Sequence, residues 1–297
     1  MIMNMSAGAN IQPVVGKLLS TLNVGDTLEV PVVSDWQDWP SRFGANIVWK
    51  VADKNHTGYP ANSVTLITEK IIQIMASDAQ EPSNSNSDRI GYGNNRHIYS
   101  NLLQWLNSNA TAGNWYSAKH SADQAPTTTY VTYNPYTSRA GFLAMLDPKF
   151  VAELLDTTLT VVKSPADGGG YETFTVKMFF ASKTEVGHTN ENGIAEGALL
   201  ALFSDNASRI AYPTAECVSS SYGYSNSNFT TSKGWYWWLR TPSSSSASLV
   251  HYVYSNGTSS GTGAWNGDRG VRPLCNLPGS LRVSESPNAA GNYTLLD

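Results

Sequence analysis

Four consecutive aromatic residues in the segment Trp-Tyr-Trp-Trp-Leu-Arg, residues 235–240, place the strongest constraint on the fold of this chain. In a β-strand successive side chains point to opposite faces, so Tyr236 and Trp238 share one face while Trp235 and Trp237 share the other. Large aromatic side chains carry much apolar surface and are mostly buried in globular proteins. We therefore expect at least one of the two pairs to lie in the hydrophobic core.

Alternating apolar and polar residues predict further strands in the first two thirds of the chain, at residues 24–33, 46–52, 63–75, 158–164 and 172–182. The Gly-rich loop between the last two segments is typical of a hairpin. Trp49 lies within one of these segments, and we expect its side chain to be buried.

A helical period is found at residues 96–108, whose apolar residues fall on one helical face. We expect Asn94 or Asn95 to cap the start of this helix. Residues 142–155 predict two short helices separated by a proline, and residues 190–203 predict another helix.

Strands and helices are mixed along the chain without internal repeats, which indicates the α+β class. A length of 297 residues allows a single compact domain, which we place at residues 20–297. Residues 1–19 have no strong period and are interpreted as an N-terminal arm or adaptor. Residues 77–95 are so rich in Ser, Asn and Asp that we expect a polar loop that does not pack.

The low content of charged residues restricts the class of partner. Only 14% of the residues are charged, against a usual fraction of about 25%, and the net charge is -4. Without a basic patch, we expect no nucleic-acid binding. No apolar run is long enough for membrane insertion, and the N-terminus shows no signal peptide. Cys217 and Cys275 are too far apart for a CxxC motif, and we expect two buried thiols rather than a disulfide.

Residues 246–274 combine Tyr, Ser, Gly, Asn and Thr in a pattern that is typical of binding surfaces. Tyrosine provides a large contact area with few torsions to restrict, while the small polar residues adapt their hydrogen bonds. A bent or bulged strand would bring His251, Tyr252 and Tyr254 together, and we expect at least two of them in the site. Arg240 and Arg272 each stand beside a proline, and we expect them to brace loops rather than contact a ligand.

The segments GWYWWLRTP, residues 234–242, and GVRPLCNL, residues 270–277, together with KTEVGHTNENGIAEG at 183–197, resemble the C-type-lectin-fold variable proteins of diversity-generating retroelements. This resemblance implies a C-type lectin fold with two main helices, small antiparallel sheets and long loops. It also implies a variable ligand-binding region at about residues 235–277. Such proteins are non-enzymatic and bind ligands as parts of phage tails or bacterial surfaces.

The resemblance implies a surface that binds a protein or glycan receptor of a bacterial cell, displayed on a phage virion or a bacterial surface by a homo-oligomer. Neither a catalytic residue, a metal nor a cofactor is expected. The predicted ligand-binding residues are Tyr222, Tyr224, Ser243, Ser245, Ser248, His251, Tyr252, Tyr254, Asn256, Thr258, Ser260, Trp265, Asn266 and Asp268.

Retroelement mutagenesis alters adenines, mostly in Asn-type codons, and these codons cannot become Lys, Glu, Gln, Met or Trp codons. Lys, Glu, Gln and Met account for 32 of the 297 residues (10, 10, 6 and 6) and are absent from residues 243–269, where about three would be expected from the average. Trp265 is the exception in this window, and a fixed template codon would explain it.

Enzymatic interpretations are less well supported by the sequence. Ser259 stands at the centre of a Gly-x-Ser-x-Gly pattern, but it lacks the apolar strand and following helix of a nucleophile elbow. The segment AWNGD at 264–268 is similar to a lectin calcium motif, but an inserted glycine changes its spacing and the matching upstream segment is missing. Formylglycine-generating enzymes share the fold that the resemblance implies but use closely spaced cysteines. Such an oxidoreductase and a purely structural virion or pilus-tip subunit remain the alternatives.

Overall fold

The computed structural model describes residues 15–33 and 43–296, and these form one compact α+β domain built on a six-stranded and a five-stranded sheet. Its strands are β1 (Lys17–Leu18), β2 (Thr27–Pro31), β3 (Asn46–Lys54), β4 (Ser63–Thr68), β5 (Gln73–Ile74), β6 (Thr157–Val162), β7 (Tyr171–Val176), β8 (Met178–Phe179), β9 (Trp237–Pro242), β10 (Leu249–Val253), β11 (Ser259–Gly263), β12 (Gly270–Val271), β13 (Leu274–Pro278), β14 (Arg282–Val283) and β15 (Asn292–Thr294). The strands predicted from the alternation are confirmed, and β6 and β7 form the expected hairpin.

The six-stranded sheet has the order β15-β2-β3-β4-β13-β8, and the five-stranded sheet has the order β11-β10-β9-β12-β5. Most neighbours are antiparallel, but β15 runs parallel to β2 and β12 runs parallel to β9. Two small sheets, β1–β14 and β6–β7, complete the arrangement. The last third of the chain therefore supplies four of the five strands of the sheet that ends in β11.

The α-helices of the described residues are all short: α1 (Ser87–Tyr92), α2 (Asn101–Leu106), α3 (Pro148–Ala152), α4 (Asn206–Arg209) and α5 (Ala215–Ser219). Single 3₁₀ turns occur at Leu19–Thr21, His97–Tyr99, Phe142–Met145 and Pro165–Asp167. The expectation of two main helices is therefore wrong for this part of the chain. The two short helices around the proline in 142–155 are confirmed.

Two local predictions fail because backbone conformation and capping override the apolar period. Residues 190–203 contain no helix, since Asn192, Gly193 and Gly197 all have positive φ and interrupt it. Helix α2 starts later than expected and is capped by Ser100, whose hydroxyl accepts from the Leu103 N–H, rather than by Asn94 or Asn95.

The segment 77–95 is packed into the domain, contrary to the expectation of an exposed polar loop. Asp78 is buried because its carboxylate accepts backbone hydrogen bonds from Asn94 and Asn101. The amide of Asn95 donates to the carbonyl of Ser246, at 2.8 Å, and to that of Leu249, at 3.0 Å. The polar residues buried here thus form hydrogen bonds within the domain, and those of Asn95 tie the segment to the start of β10.

Both faces of β9 are buried, which confirms and exceeds the expectation drawn from its aromatic residues. Trp238 packs in one hydrophobic cluster with Trp49 and Trp105, while Trp235 and Trp237 pack in a second cluster. Their indole N–H groups donate to carbonyls outside the strand, as from Trp238 to Met75 at 2.8 Å. The aromatic strand therefore lies between the two hydrophobic clusters and packs against both.

The domain begins before residue 20, so the predicted arm is too long. Lys17 and Leu18 pair with β14, and Leu19 is fully buried in the larger cluster. The chain enters the core at the point where the sequence shows only a mixed apolar segment. Residues 1–14 lie outside the described residues.

Arg240 and Arg272 both brace the scaffold, as predicted. Arg240 is buried and holds the carboxylate of Glu185 through two hydrogen bonds, of 2.6 and 2.7 Å. It also donates to the carbonyls of Phe180 and Glu196. Arg272 is buried, donates to the carbonyl of Thr68 at 2.9 Å and lies over the ring of Trp237.

Replacing Arg240 with Gln should lower the free energy of unfolding by about 3–5 kcal/mol, because the buried carboxylate of Glu185 loses its counter-ion. The matched control is Lys233→Gln at an exposed cation, which should change it by less than about 0.5 kcal/mol. Urea denaturation measures both variants. Equal effects would contradict a structural role for the buried pair.

Burial raises the pKa of Glu196 from its ordinary value of 4.5 to about 7, against the opposing charge of Arg240. The folded protein then retains a proton that the unfolded chain loses, so the stabilisation is full below pH 4.5 and is lost as the pH rises through about 7. Glu196→Gln should remove this part of the decline. Urea denaturation between pH 4.5 and 8 measures it, and identical pH profiles in variant and wild type would refute the assignment.

Candidate functional site

Twelve of the fourteen predicted binding residues lie on the β10–β11 hairpin and on the loops at its two ends, and Tyr222 and Tyr224 lie on a separate loop before β9. Strands β10 and β11 pair from Leu249 opposite Gly263 to Val253 opposite Ser259. On its other side β10 pairs with β9, and a bulge between Val250 and Tyr252 interrupts this register. The hairpin is therefore held along one whole side by the buried aromatic strand.

Asn134 connects the two loops that carry the other predicted residues. Its side-chain oxygen accepts from the Tyr222 N–H at 2.7 Å, and its amide donates to the carbonyl of Gly267 at 2.8 Å. It adopts a left-handed backbone conformation, with φ of 53°, and is fully buried. This one side chain brings Tyr222 next to residues 265–268.

A row of aromatic rings in contact extends across this surface. The ring of Tyr254 lies 4.8 Å from that of Tyr236, which lies 4.6 Å from that of Trp235. Trp235 contacts Tyr224 at 6.1 Å, and Tyr224 contacts Tyr133 at 5.0 Å. The hairpin and the 222–224 loop are thus connected by a row of rings in contact, which passes through the buried Trp235 and has Tyr254, 37% exposed, at one end.

Arg269 lies against the middle of this row. Its guanidinium stands over the rings of Tyr236, at 4.6 Å, and Tyr252, at 4.4 Å. It also forms an ion pair with Asp268 at 2.6 Å. The surface therefore combines tyrosine and arginine, two residue types that dominate the binding energy of protein interfaces.

His251 points away from the tyrosines. The alternation of β10 places it on the opposite face, where its Nε2 bonds to the carboxylate of Glu191. Burial opposes the ionisation of Glu191, but the charges of His251 and Lys183 outweigh burial and lower its pKa. Burial and Lys183 together lower the pKa of His251. The imidazole thus fastens β10 to the loop that follows β8.

The predicted residues differ in their accessibility. The exposed ones are Ser245, Asn256, Thr258, Ser260, Tyr222 and Tyr254. The half-buried ones are Tyr224, His251, Trp265, Asn266 and Asp268. The buried ones are Ser243, Ser248 and Tyr252.

The three buried residues are structural, which corrects their assignment to the ligand surface. Ser243 donates its backbone N–H to the carbonyl of Leu249, and the Ser248 carbonyl accepts from the Ala264 N–H, so both hold the end of the hairpin at which β10 starts. Tyr252 is 5% exposed and packs between Trp238 and the surface row. It supports the surface from below.

Four residues were missed by the sequence analysis. Tyr236 and Arg269 belong to the surface, although the first was assigned only to a strand. Tyr92 is half exposed and contacts the ring of Trp265 at 6.0 Å. Tyr133 joins through Tyr224. Tyr92 and Tyr133 lie more than 100 residues before the hairpin, and nothing in the local sequence indicates that they reach it.

The groups considered for catalysis or metal binding are occupied or buried. Ser259 lies within β11 and not at a strand-to-helix turn. The amide of Asn266 donates to the hydroxyl of Thr262, and Asp268 is paired with Arg269. Within residues 15–33 and 43–296 no group of three or more His, Cys, Asp or Glu could hold a metal ion.

The two cysteines are free thiols, as expected, and both are buried. Cys275 packs in the larger hydrophobic cluster and Cys217 in the smaller one. Burial raises the pKa of both thiols, so neither forms a thiolate readily. This arrangement does not supply the closely spaced cysteine pair of the oxidoreductase alternative.

Comparisons with known proteins identify one family. A family model described as a domain of unknown function (DUF6273) matches residues 62–279, more than half of the chain. Searches of curated proteins and of solved structures gave no significant match. The described part of the chain contains no helix that is long and apolar enough to cross a membrane.

The two neighbouring tyrosines of β10 should respond differently to substitution. Tyr252→Ser should lower the free energy of unfolding by about 3–5 kcal/mol, because it leaves a cavity under the surface row. Tyr254→Ser should lower it by less than about 1 kcal/mol, because the side chain is already partly solvated. Thermal and urea denaturation measure the difference, and a large loss for Tyr254→Ser would place that residue in the core.

Proposed function

The chain belongs to the DUF6273 family, and we propose that it is a non-enzymatic ligand-binding protein that displays a variable surface on a C-type lectin fold. The observation that carries the proposal is the row of contacting aromatic rings from Tyr254 to Tyr133, which is anchored on the buried Trp235 and flanked by small uncharged side chains. A surface of this composition is suited to contact and not to chemistry.

The energetics of the surface support binding. A fully buried tyrosine removes about 150–250 Å² from water, so covering two or three of these rings supplies several kcal/mol. Tyr222 is 63% exposed and Tyr254 37%, so a ligand can still cover much of both side chains. Asn256, Thr258 and Ser260 stand beside Tyr254 and offer hydrogen bonds that adapt to different partners.

The division between fixed and exchangeable residues supports a diversified display protein. Arg240 and Arg272 are buried and bind the scaffold, and they lie just outside the window 243–269 that lacks Lys, Glu, Gln and Met. Within this window Asn256, Thr258 and Ser260 are exposed, so exchanging them leaves the core unchanged. The frame can therefore keep its fold while the surface varies.

The setting that fits this surface is a phage tail or a bacterial cell surface. The proposed partner is a protein or glycan receptor on a bacterial cell, and display in several copies would add avidity. The low content of charge means that recognition relies on shape, aromatic contact and hydrogen bonds. Such a surface adapts to many partners without a dominant electrostatic field.

A binding screen tests this proposal. The purified protein is presented to immobilised bacterial surface glycans and to a display library of bacterial surface proteins. Tyr254→Ser should weaken any saturable binding at least about tenfold while the fold is retained. Tyr171→Ser is the matched control, because this tyrosine is 60% exposed on the separate β6–β7 hairpin. Binding that both variants retain would contradict the assigned surface.

The coding DNA offers an independent check of diversification. A near-identical template repeat that differs at adenines, next to a reverse-transcriptase gene, is expected beside the region for residues 243–269. A neighbourhood without such a repeat would favour a purely structural subunit.

A further inference from the structure

The outer edge of β11 is an open line of backbone hydrogen-bonding groups. In an antiparallel pair, opposed residues alternate between exchanging two backbone hydrogen bonds and exchanging none. Tyr254 donates its N–H to the Thr258 carbonyl at 2.6 Å, and Ala264 donates to that of Ser248 at 3.0 Å. These two pairs follow the same register as the β10–β11 pairing. They therefore show which residues of β11 form backbone hydrogen bonds to β10.

Counting from these pairs, the even-numbered Ser260 and Thr262 bond to β10, and the odd-numbered Ser259 and Gly261 face outward. β11 is the last strand of its sheet, and no hydrogen bond among the described residues engages the outward groups of these two residues. Gly263 also faces outward, but its carbonyl already accepts from the Asn266 N–H. The free groups repeat about every 6.8 Å, the spacing of alternate residues in a strand.

This edge lacks the features by which proteins protect exposed strands. β11 contains no charged residue and no proline, and a side chain at Gly261 would meet no atom closer than 3.9 Å. The other outer strands of the two large sheets, β5, β8 and β15, have only two or three residues. β7 carries Glu172, which is held by Arg96 at 2.6 Å. The five-residue edge of β11 is therefore open.

An aromatic pair borders one end of this edge. Tyr92 and Trp265 cover Gly263, whereas the ring of Tyr254, at the other end of the hairpin, contacts Tyr236 on the β9 side. A strand added along β11 would thus have the Tyr92–Trp265 pair at one end while its backbone paired with Ser259 and Gly261. The edge and the proposed binding surface are parts of the same hairpin.

We propose that β11 binds an extended polypeptide segment of the ligand as an additional strand, so that the ligand class is protein and not glycan. This inference rests on the proposed function and narrows its partner. Alternating N–H and C=O groups are complementary to another peptide backbone, whereas a carbohydrate has no repeating amide to pair with them. Backbone pairing also does not depend on the side chains of β11, so it persists when these side chains are exchanged.

The test uses a displayed library of random linear peptides, with the enriched peptides synthesised and titrated by calorimetry. Gly261→Pro removes the outward N–H and fits an edge position, and it should weaken binding about tenfold. Gly261→Ala is the matched control, since it adds a Cβ but keeps the N–H, and it should bind like the wild type. Equal melting temperatures show that both variants are folded. Methylating alternate amides of the peptide should also abolish binding.

Several outcomes would overturn this inference. One is that no peptide is enriched, and another is that the peptides bind Gly261→Pro as tightly as the wild type. A third is that the wild type sediments as a dimer and Gly261→Pro as a monomer, because the edge would then pair with a second copy of the chain. Glycan or protein binding that is lost in Tyr254→Ser but unchanged in Gly261→Pro would refute strand addition and leave the proposed function intact. Peptide binding that is lost in Gly261→Pro but unchanged in Tyr254→Ser would support the edge and refute the proposed surface.

Discussion

The buried ion pair between Arg240 and Glu185 is the interaction on which the rest of this structure depends. Arg240 lies on the aromatic strand, and its guanidinium also reaches the carbonyls of Phe180 and Glu196. Tyr59 donates to the same carboxylate at 2.6 Å. One side chain thereby joins the five-stranded sheet to the segment 180–196 and, through Tyr59, to the loop between β3 and β4. Buried charges are costly unless they are paired, so this network favours one arrangement of the strand that supports the β10–β11 hairpin.

Aromatic residues form both the buried core around β9 and the candidate binding surface, at different depths. Trp235, Trp237 and Trp238 are buried with their indole N–H groups satisfied, and they make β9 rigid. One residue away, Tyr236 contacts Tyr254 and Arg269 and is only partly buried. The aromatic strand therefore belongs to both the core and the site. A ligand that contacts the aromatic row would meet a surface with little freedom to rearrange, so less conformational entropy would be lost on binding.

Features set by a local pattern could be predicted from the sequence, whereas features set by tertiary contacts could not. Strand alternation, the buried tryptophans and the bracing role of Arg240 were all predictable from residue type and spacing. The accessibility of β10 was not, because alternation defines two faces without saying that Tyr252 is covered by Arg269 and supported by Trp238. The packing of 77–95 was missed since composition cannot reveal that Asp78 has backbone partners. Tyr92 and Tyr133 join the site only through the fold.

Two glycines limit how far the hairpin loops can change. Gly257 has φ of 84°, and a Cβ there would stand 1.9 Å from the carbonyl oxygen of Asn206. A Cβ at Gly267 would stand 2.0 Å from the carbonyl oxygen of Tyr133. Both loops are thus seated on neighbouring backbone through positions that tolerate no side chain. A set of variants diversified on this scaffold would need glycine at both positions. Its members would therefore differ in surface chemistry while sharing the same loop conformations.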